Sequence, residues 1–260
     1  MMWVWAAVLG IIQALTEFLP ISSSAHLLIV PWLFGFPAQG LAFDAALHVG
    51  TSLALLLFFW RDFWGYIQRR DKFLWLIALA SIPGGVIGFF GDSLIESVFH
   101  ESSFAIPVAA IGMLLTTGVI WYIDANAALR RDMGEMTKKH ALIIGLAQAL
   151  ALIPGTSRSG ATIAAGLATG YKREAAARFS FLLGTPIALG AGLYKSRQIV
   201  ASQPTSSELL GVLIGVAVAA ILGMLVIKWL LGYVQKHDLR VFLIYRLAFA
   251  TLILLVWLGR

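Results

Sequence analysis

Pro154-Gly155-Thr156-Ser157-Arg158-Ser159-Gly160-Ala161-Thr162 interrupts an apolar run that begins at Ala141, and the chain then resumes as a short small-residue stretch to Gly170. Crossing hydrocarbon takes about 20 mostly apolar residues, and neither side of the break reaches that length. A second break lies upstream. Residues 1–19 run into Glu17, Pro20 and Ser22-Ser23-Ser24, then resume over 27–36. Both stretches read as re-entrant hairpins, because non-helical backbone at membrane depth is tolerated only inside protein or against a wet cavity. The competing reading has the first stretch simply spanning, with its serines in an outside loop.

The rest of the chain supports a membrane setting. Of 260 residues, 60% are hydrophobic and 12% charged, against about 25% charged in a soluble domain. A soluble fold of this size has too little interior for that much apolar surface. Soluble enzymes, nucleic-acid binders and disordered chains are therefore excluded, and the absence of cysteine removes thiolate chemistry and disulfides. Six segments have the length and composition of crossings: about 43–60, 73–90, 104–123, 179–194, 209–231 and 241–258. The expected fold is an all-α polytopic membrane protein of one domain, 1–260, with six transmembrane helices and two hairpins.

The two breaks are related. Gly10-Ile11-Ile12-Gln13-Ala14-Leu15 matches Gly145-Leu146-Ala147-Gln148-Ala149-Leu150 at an offset of 135. After a one-residue slip, Pro20 matches Pro154, Ser23 matches Ser157, and Gly50-Thr51 matches Gly184-Thr185 at 134. Repeat 1 then covers about 1–123, a linker 124–140, and repeat 2 about 141–260. Three crossings per half is an odd number, so the second half is inserted upside down and the hairpins meet near the midplane, as in many transporters. Charge follows this topology. Arg61, Arg69, Arg70, Lys72, Arg130, Arg131, Lys138, Lys139, Lys172, Arg173, Arg178, Lys228, Lys236 and Arg240 fall on one side, and only Lys195, Arg197 and Arg260 on the other. Loop 91–103 on that second side carries Asp92, Glu96 and Glu101 but no basic residue. The positive-inside rule makes the richer side cytoplasmic, with both termini outside. The basic pI of 9.8 is then topology rather than a nucleic-acid signal.

Polar residues in the breaks are the candidates for chemistry. Gln13 and Glu17 share a helix face, and an intramembrane carboxylate is a functional hypothesis by default. Ser23 and His26, three apart, suit a hydroxyl and its base. In the second break Gly155 and Gly160 allow backbone N–H groups to approach an anion at a helix start. Thr156, Ser157, Ser159 and Thr162 add hydroxyls, and Arg158 offers a planar fork for phosphate oxygens. Ser22 and Ser24 extend the same set in the first break. This set fits phosphoryl transfer on a lipid phosphate, with a divalent cation such as Mg²⁺ held by Glu17 and mostly by the substrate. Asp44 and His48 precede a crossing on the outer side, where they read as ordinary interface residues or as lining of the entry, and Arg246 reads as a side chain that snorkels or caps a hairpin.

These residues resemble the undecaprenyl-diphosphate phosphatases, also called bacitracin-resistance proteins. The likeness rests on Glu17-Phe18-Leu19-Pro20-Ile21-Ser22-Ser23 with His26 and on Pro154 to Thr162. Softer likeness includes Phe179-Ser180-Phe181 and Ile244-Tyr245-Arg246. The family's first motif often has Glu where this chain has Gln13, and Ser24-Ala25 stands in place of Thr-Gly. The resemblance implies removal of the terminal phosphate from a C55 polyprenyl diphosphate in the bacterial plasma membrane, with Mg²⁺ or Ca²⁺ and a site open to the outer face. It implies Glu17 as the motif acid, Ser23 and His26 as catalytic candidates, and Arg158 as the grip on the diphosphate. Attack by Ser23, by His26 or by water stays open, as does a polyprenyl-phosphate flippase using the same anion site. The expected partners are the lipid substrate and the bilayer, with a homodimer left open and no nucleic acid.

Overall fold

A computed structural model describes residues 2–35, 41–99, 104–201 and 204–259. In chain order the helices are α1 (Met2–Phe18), α2 (Ser23–Phe34), α3 (Leu41–Phe58), α4 (Trp60–Arg69), α5 (Lys72–Phe99) and α6 (Ala105–Asn126). They continue with α7 (Lys138–Leu150), α8 (Arg158–Ala168), α9 (Arg173–Ala201), α10 (Ser206–Val234) and α11 (Arg240–Leu258). Among the described residues no strand forms. Glu101 and Arg260 lie outside the described residues, as do the side chains of Asp92, Glu96, Lys195 and Arg197.

Among the described residues, five helical segments are long and apolar enough to cross a membrane: Lys72–Gly91, Ala105–Asn126, Arg173–Tyr194, Ser206–Val234 and Arg240–Leu258. A sixth candidate is bent by 62° where Phe43–Phe58 meets Trp60–Arg69. The helices flanking the two breaks are short, at 17 and 12 residues for α1 and α2 and 13 and 11 for α7 and α8. Large side chains such as Trp75, Phe90 and Leu115 are more than two-thirds exposed. In water they would cost the hydrophobic stabilisation that burial gives; hydrocarbon solvates them without that cost. The protein is a multi-pass helical membrane protein.

Two segments read from sequence as loops are helical. Residues 61–72 contain α4, because Trp60, Phe63, Trp64 and Ile67 recur at helical spacing and leave Arg61, Gln68 and Arg69 on another face. Trp60, Trp64 and Ile67 stay exposed, as an interfacial amphipathic helix requires. Residues 91–99, expected in a loop, continue α5.

At two helix contacts small residues let backbones touch. α1 packs on α10 where a Cβ on Gly10 would lie 2.6 Å from the Gly215 carbonyl oxygen. α7 packs on α5 where a Cβ on Gly145 would overlap the Ala80 backbone. Each residue of the first pair is 135 positions from its counterpart in the second. α3 packs on α9 and α6 on α11.

The basic segments converge at one end of the bundle. Lys72 Nζ donates to the Gly134 carbonyl at 2.6 Å, and Lys172 pairs with Asp132 at 2.8 Å. The Asp132 partner raises the Lys172 pKa. Buried Asp124 accepts from Arg173 Nε at 2.6 Å and from the Leu239 N–H at 3.0 Å. Arg178 reaches Asp62 at 2.5 Å. Segments far apart in sequence are thus joined to one another by ion pairs and hydrogen bonds.

Candidate functional site

Both breaks turn on a serine forced into a region that L-residues rarely occupy. Ser22 has φ 77° and ψ 95°, and the next residue opens α2. Ser157 has φ 68° and ψ 108°, and the next residue opens α8. The backbone therefore equates Ser22 with Ser157 and Ser23 with Arg158, at an unslipped offset of 135. The two positive-φ serines are 135 residues apart, one more than the offset expected from Pro20 and Pro154. Such strain persists only where surroundings over-determine it, and here they do. His26 Nδ1 lies 2.7 Å from the Ser22 carbonyl oxygen, and the Gly160 N–H donates to Ser157 Oγ at 3.1 Å.

The two breaks meet at Glu17, which is 5% exposed. Its Oε1 takes the Arg158 guanidinium in a short ion pair. Its Oε2 accepts from Ser23 Oγ at 2.6 Å and from Gln13 Nε2 at 3.3 Å. His48 Nδ1 lies 3.4 Å from that same oxygen and 3.0 Å from Gln13 Nε2. Arg158 also reaches the Ser180 carbonyl at 3.4 Å, and the Ser180 hydroxyl sits 2.6 Å from Thr162 Oγ1. A Cβ on Gly184 would overlap the Arg158 guanidinium, so glycine there makes the space it occupies. Ser159 Oγ donates to the Leu19 carbonyl at 3.1 Å and so ties the second break to the first.

Of the expected residues, Gln13, Glu17, Ser23 and Arg158 form one hydrogen-bonded group. Ser23 and His26 are not paired. The Ser23 hydroxyl is on Glu17, while His26 Nε2 lies 2.7 Å from the Tyr245 hydroxyl and its ring stacks on Phe249 at 4.5 Å. Ser22 and Ser24 hydroxyls lie 3.3 Å apart, as do those of Ser157 and Ser159. Thr156 is buried, its N–H donating to the Ile153 carbonyl at 3.2 Å. Gly155, at φ 86°, presses against the Ala109 backbone on α6, a place where a side chain has no room. The Gly160 N–H, expected to face an anion, serves the Ser157 cap instead.

Three residues enter that the sequence reading left at the margin. His48 is in the Glu17 group rather than at an ordinary interface. Tyr245 holds His26. Arg246 is fully buried and donates to a carbonyl in each break, so of its two expected roles it caps the breaks and does not snorkel. The rule that an ionisable residue inside a membrane is functional by default would have selected His48 and Arg246, as it did Glu17.

In chemical terms the group joins a hydroxyl to a carboxylate at hydrogen-bond distance, beside a guanidinium that can bind phosphate oxygens. Among the described residues no three His, Asp or Glu gather as a metal cage.

The family model for bacitracin resistance protein BacA matches residues 6–252. The chain is 43% identical to an undecaprenyl-diphosphatase of Thermomicrobium roseum, covering 97% of this chain and 98% of that protein. It is 42% identical to the undecaprenyl-diphosphatase of Caldicellulosiruptor bescii, over 98% and 97% of the two chains. Identity to the Alcanivorax borkumensis undecaprenyl-diphosphatase is 44%, over 99% of each. With a match that spans both breaks and nearly every helix, the chain belongs to the bacitracin resistance protein BacA family.

Proposed function

We propose that this protein hydrolyses the terminal phosphate of undecaprenyl diphosphate, giving undecaprenyl phosphate and inorganic phosphate. That reaction recycles the lipid carrier of cell-wall synthesis and confers bacitracin resistance. The observation that carries the reading is Glu17 held between Ser23 and Arg158, one from each break. The printed names of the relatives support the same activity.

Arg158 binds the diphosphate oxygens bidentately, exchanging Glu17 for substrate. Ser23 Oγ attacks the terminal phosphorus while its proton passes to Glu17 Oε2. The bond from phosphorus to the bridging oxygen breaks, and undecaprenyl phosphate leaves. Water then attacks the phosphoserine phosphorus, the bond from phosphorus to Ser23 Oγ breaks, Glu17 returns its proton to Ser23 Oγ, and dihydrogen phosphate leaves with both water protons. His26 holds the Ser22 turn and so aims Ser23, and His48 supports Glu17 from the exposed side. Gln13, Ser24, Ser159 and Thr162 fill the polar shell around these groups.

The donor set fits a divalent cation, Mg²⁺ or Ca²⁺, held by Glu17 and chiefly by phosphate oxygens, because a single carboxylate with substrate is how Mg²⁺ is commonly bound. Bound there, it supplies neutralisation of phosphate charge.

We read the fold as an inverted repeat of two halves with two re-entrant hairpins. Support comes from the 135-residue correspondence of Ser22 with Ser157, of Gly10 with Gly145, and of Ala80 with Gly215. The convergence of basic segments supports a cytoplasmic location for that end, which leaves both termini and the site's opening on the outer face of the plasma membrane.

The test is phosphate release from C55 polyprenyl diphosphate by purified protein in detergent, where no gradient exists to drive a flippase. Release that EDTA abolishes and Mg²⁺ or Ca²⁺ restores is expected. Absence of release, with lipid translocation intact in vesicles, overturns the reading.

A further inference from the structure

Arg246 lies on α11 with its side chain wholly buried. Its Nε donates to Thr117 Oγ1 at 2.7 Å. Its Nη2 donates to Thr116 Oγ1 at 2.5 Å, to the Met113 carbonyl at 3.2 Å and to the Gly155 carbonyl at 3.1 Å. Its Nη1 donates to the Pro20 carbonyl at 3.2 Å. Among the described residues no carboxylate takes part. A buried guanidinium without a counter-ion is costly, and only a full set of acceptors makes it tolerable.

Pro20 and Gly155 are 135 residues apart, the same separation that relates Ser22 to Ser157. One guanidinium therefore grips the same backbone carbonyl in both breaks, each two residues before the strained serine. Those carbonyls belong to irregular backbone, which needs a donor at membrane depth. A lysine has donors but no planar fork wide enough to serve two loops and two threonines together.

The geometry points to Arg246 as a positioning residue for the reaction: it locks the two breaks to each other so that Ser23 and Arg158 arrive together at Glu17. It acts through the loops and touches none of the reacting atoms. Thr117 and Thr116 on α6 aim it from behind. This role rests on the hydrolysis reading above, but its structural half is independent of turnover. With Arg246 altered, both breaks loosen at once, although they lie in different halves of the chain.

The experiment compares wild type, Arg246→Lys and Thr117→Val in detergent by two readouts. Hydrogen exchange is followed at 19–22 and 154–157, and kcat and KM are measured on C55 polyprenyl diphosphate. Arg246→Lys is expected to speed exchange in both segments and to lower kcat about 100-fold, as a roughly 1 Å misplacement does. Its KM is expected to change less than kcat. Thr117→Val, which keeps its shape and removes one acceptor, is expected to lower kcat about 5- to 10-fold in the same direction. Combined, the two substitutions are expected to be less than additive. If Arg246→Lys does not fold, Thr117→Val alone decides between the outcomes. Exchange that rises only along α11, or a folded variant with wild-type kcat, overturns the assignment. A wild type that releases no phosphate overturns the hydrolysis reading instead and leaves the exchange result standing.

Discussion

Ser23 donates its hydroxyl proton to Glu17 Oε2 at 2.6 Å, across the turn that separates α1 from α2. A hydroxyl so placed has its proton acceptor already in hand. Ser23→Ala is expected to lower kcat about 10³-fold or more while the protein still binds phosphate, because loss of a nucleophile removes the covalent route. Single-turnover phosphate release checks this, and wild-type turnover would rule Ser23 out as nucleophile.

His26 spends its ring nitrogens on Ser22 and Tyr245. Its expected contribution is the shape of the turn. His26→Asn, which offers a short donor to the Ser22 carbonyl, is expected to retain several-fold more activity than His26→Ala. Equal, complete loss in both would instead mean that the imidazole itself takes part in the chemistry.

Glu17 carries the charge that Arg158 pairs with and the oxygen that Ser23 uses. Glu17→Gln keeps an acceptor but removes the negative charge. Turnover is expected to fall about 10²- to 10⁴-fold, the usual span for a lost general base. Product inhibition by inorganic phosphate is expected to stay as strong or become stronger, since Arg158 no longer has a competing carboxylate. Inhibition constants measured on both proteins decide it.

Gly184 leaves space for the Arg158 guanidinium. Alanine there can be accommodated only if the guanidinium moves, and moving takes it off Glu17. Gly184→Ala is expected to fold and to lose about 100-fold in kcat/KM, a typical cost of misplacing one such donor. Kinetics alongside a thermal melt separate the two effects.

Asp124 is buried and holds both Arg173 and the Leu239 N–H. Asp124→Ala is expected to cost about 1.5–3 kcal/mol, the range for hydrogen bonds to a charged group. Lower thermal stability with unchanged KM for the folded fraction is the expected signature.

Much of this was legible from residues alone. Length and apolar content located the five segments able to cross and the bent sixth candidate, and Pro20 and Pro154 marked the breaks. Glu17, Ser23, Arg158 and Gln13 were identifiable because polar groups at membrane depth need a reason. What escaped was tertiary. Nothing local says that His26 turns toward Tyr245, or that His48 of α3 arrives beside Glu17. α4 was missed because its arginines dominated the reading of 61–72, although its four apolar positions follow a helical period. The one-residue slip came from matching Pro20 with Pro154, Ser23 with Ser157 and Gly50 with Gly184 by residue type. The proline marks that a break exists, whereas the left-handed serine sets where the next helix starts.

At the unslipped register Glu17 corresponds to Leu152, Gln13 to Gln148 and Ser23 to Arg158. Gln148 is buried with its amide unpartnered among the described residues, lacking a carboxylate like the one that Gln13 serves. If the halves descend from one duplicated gene, their ancestor was a pair of identical chains facing each other. In such a pair every position appears twice, so a hydroxyl on one side would face a hydroxyl on the other. The opposed serine and arginine require the copies to differ. Duplication, which lets the two copies vary separately, is then what allows one half to evolve toward attack and the other toward grip.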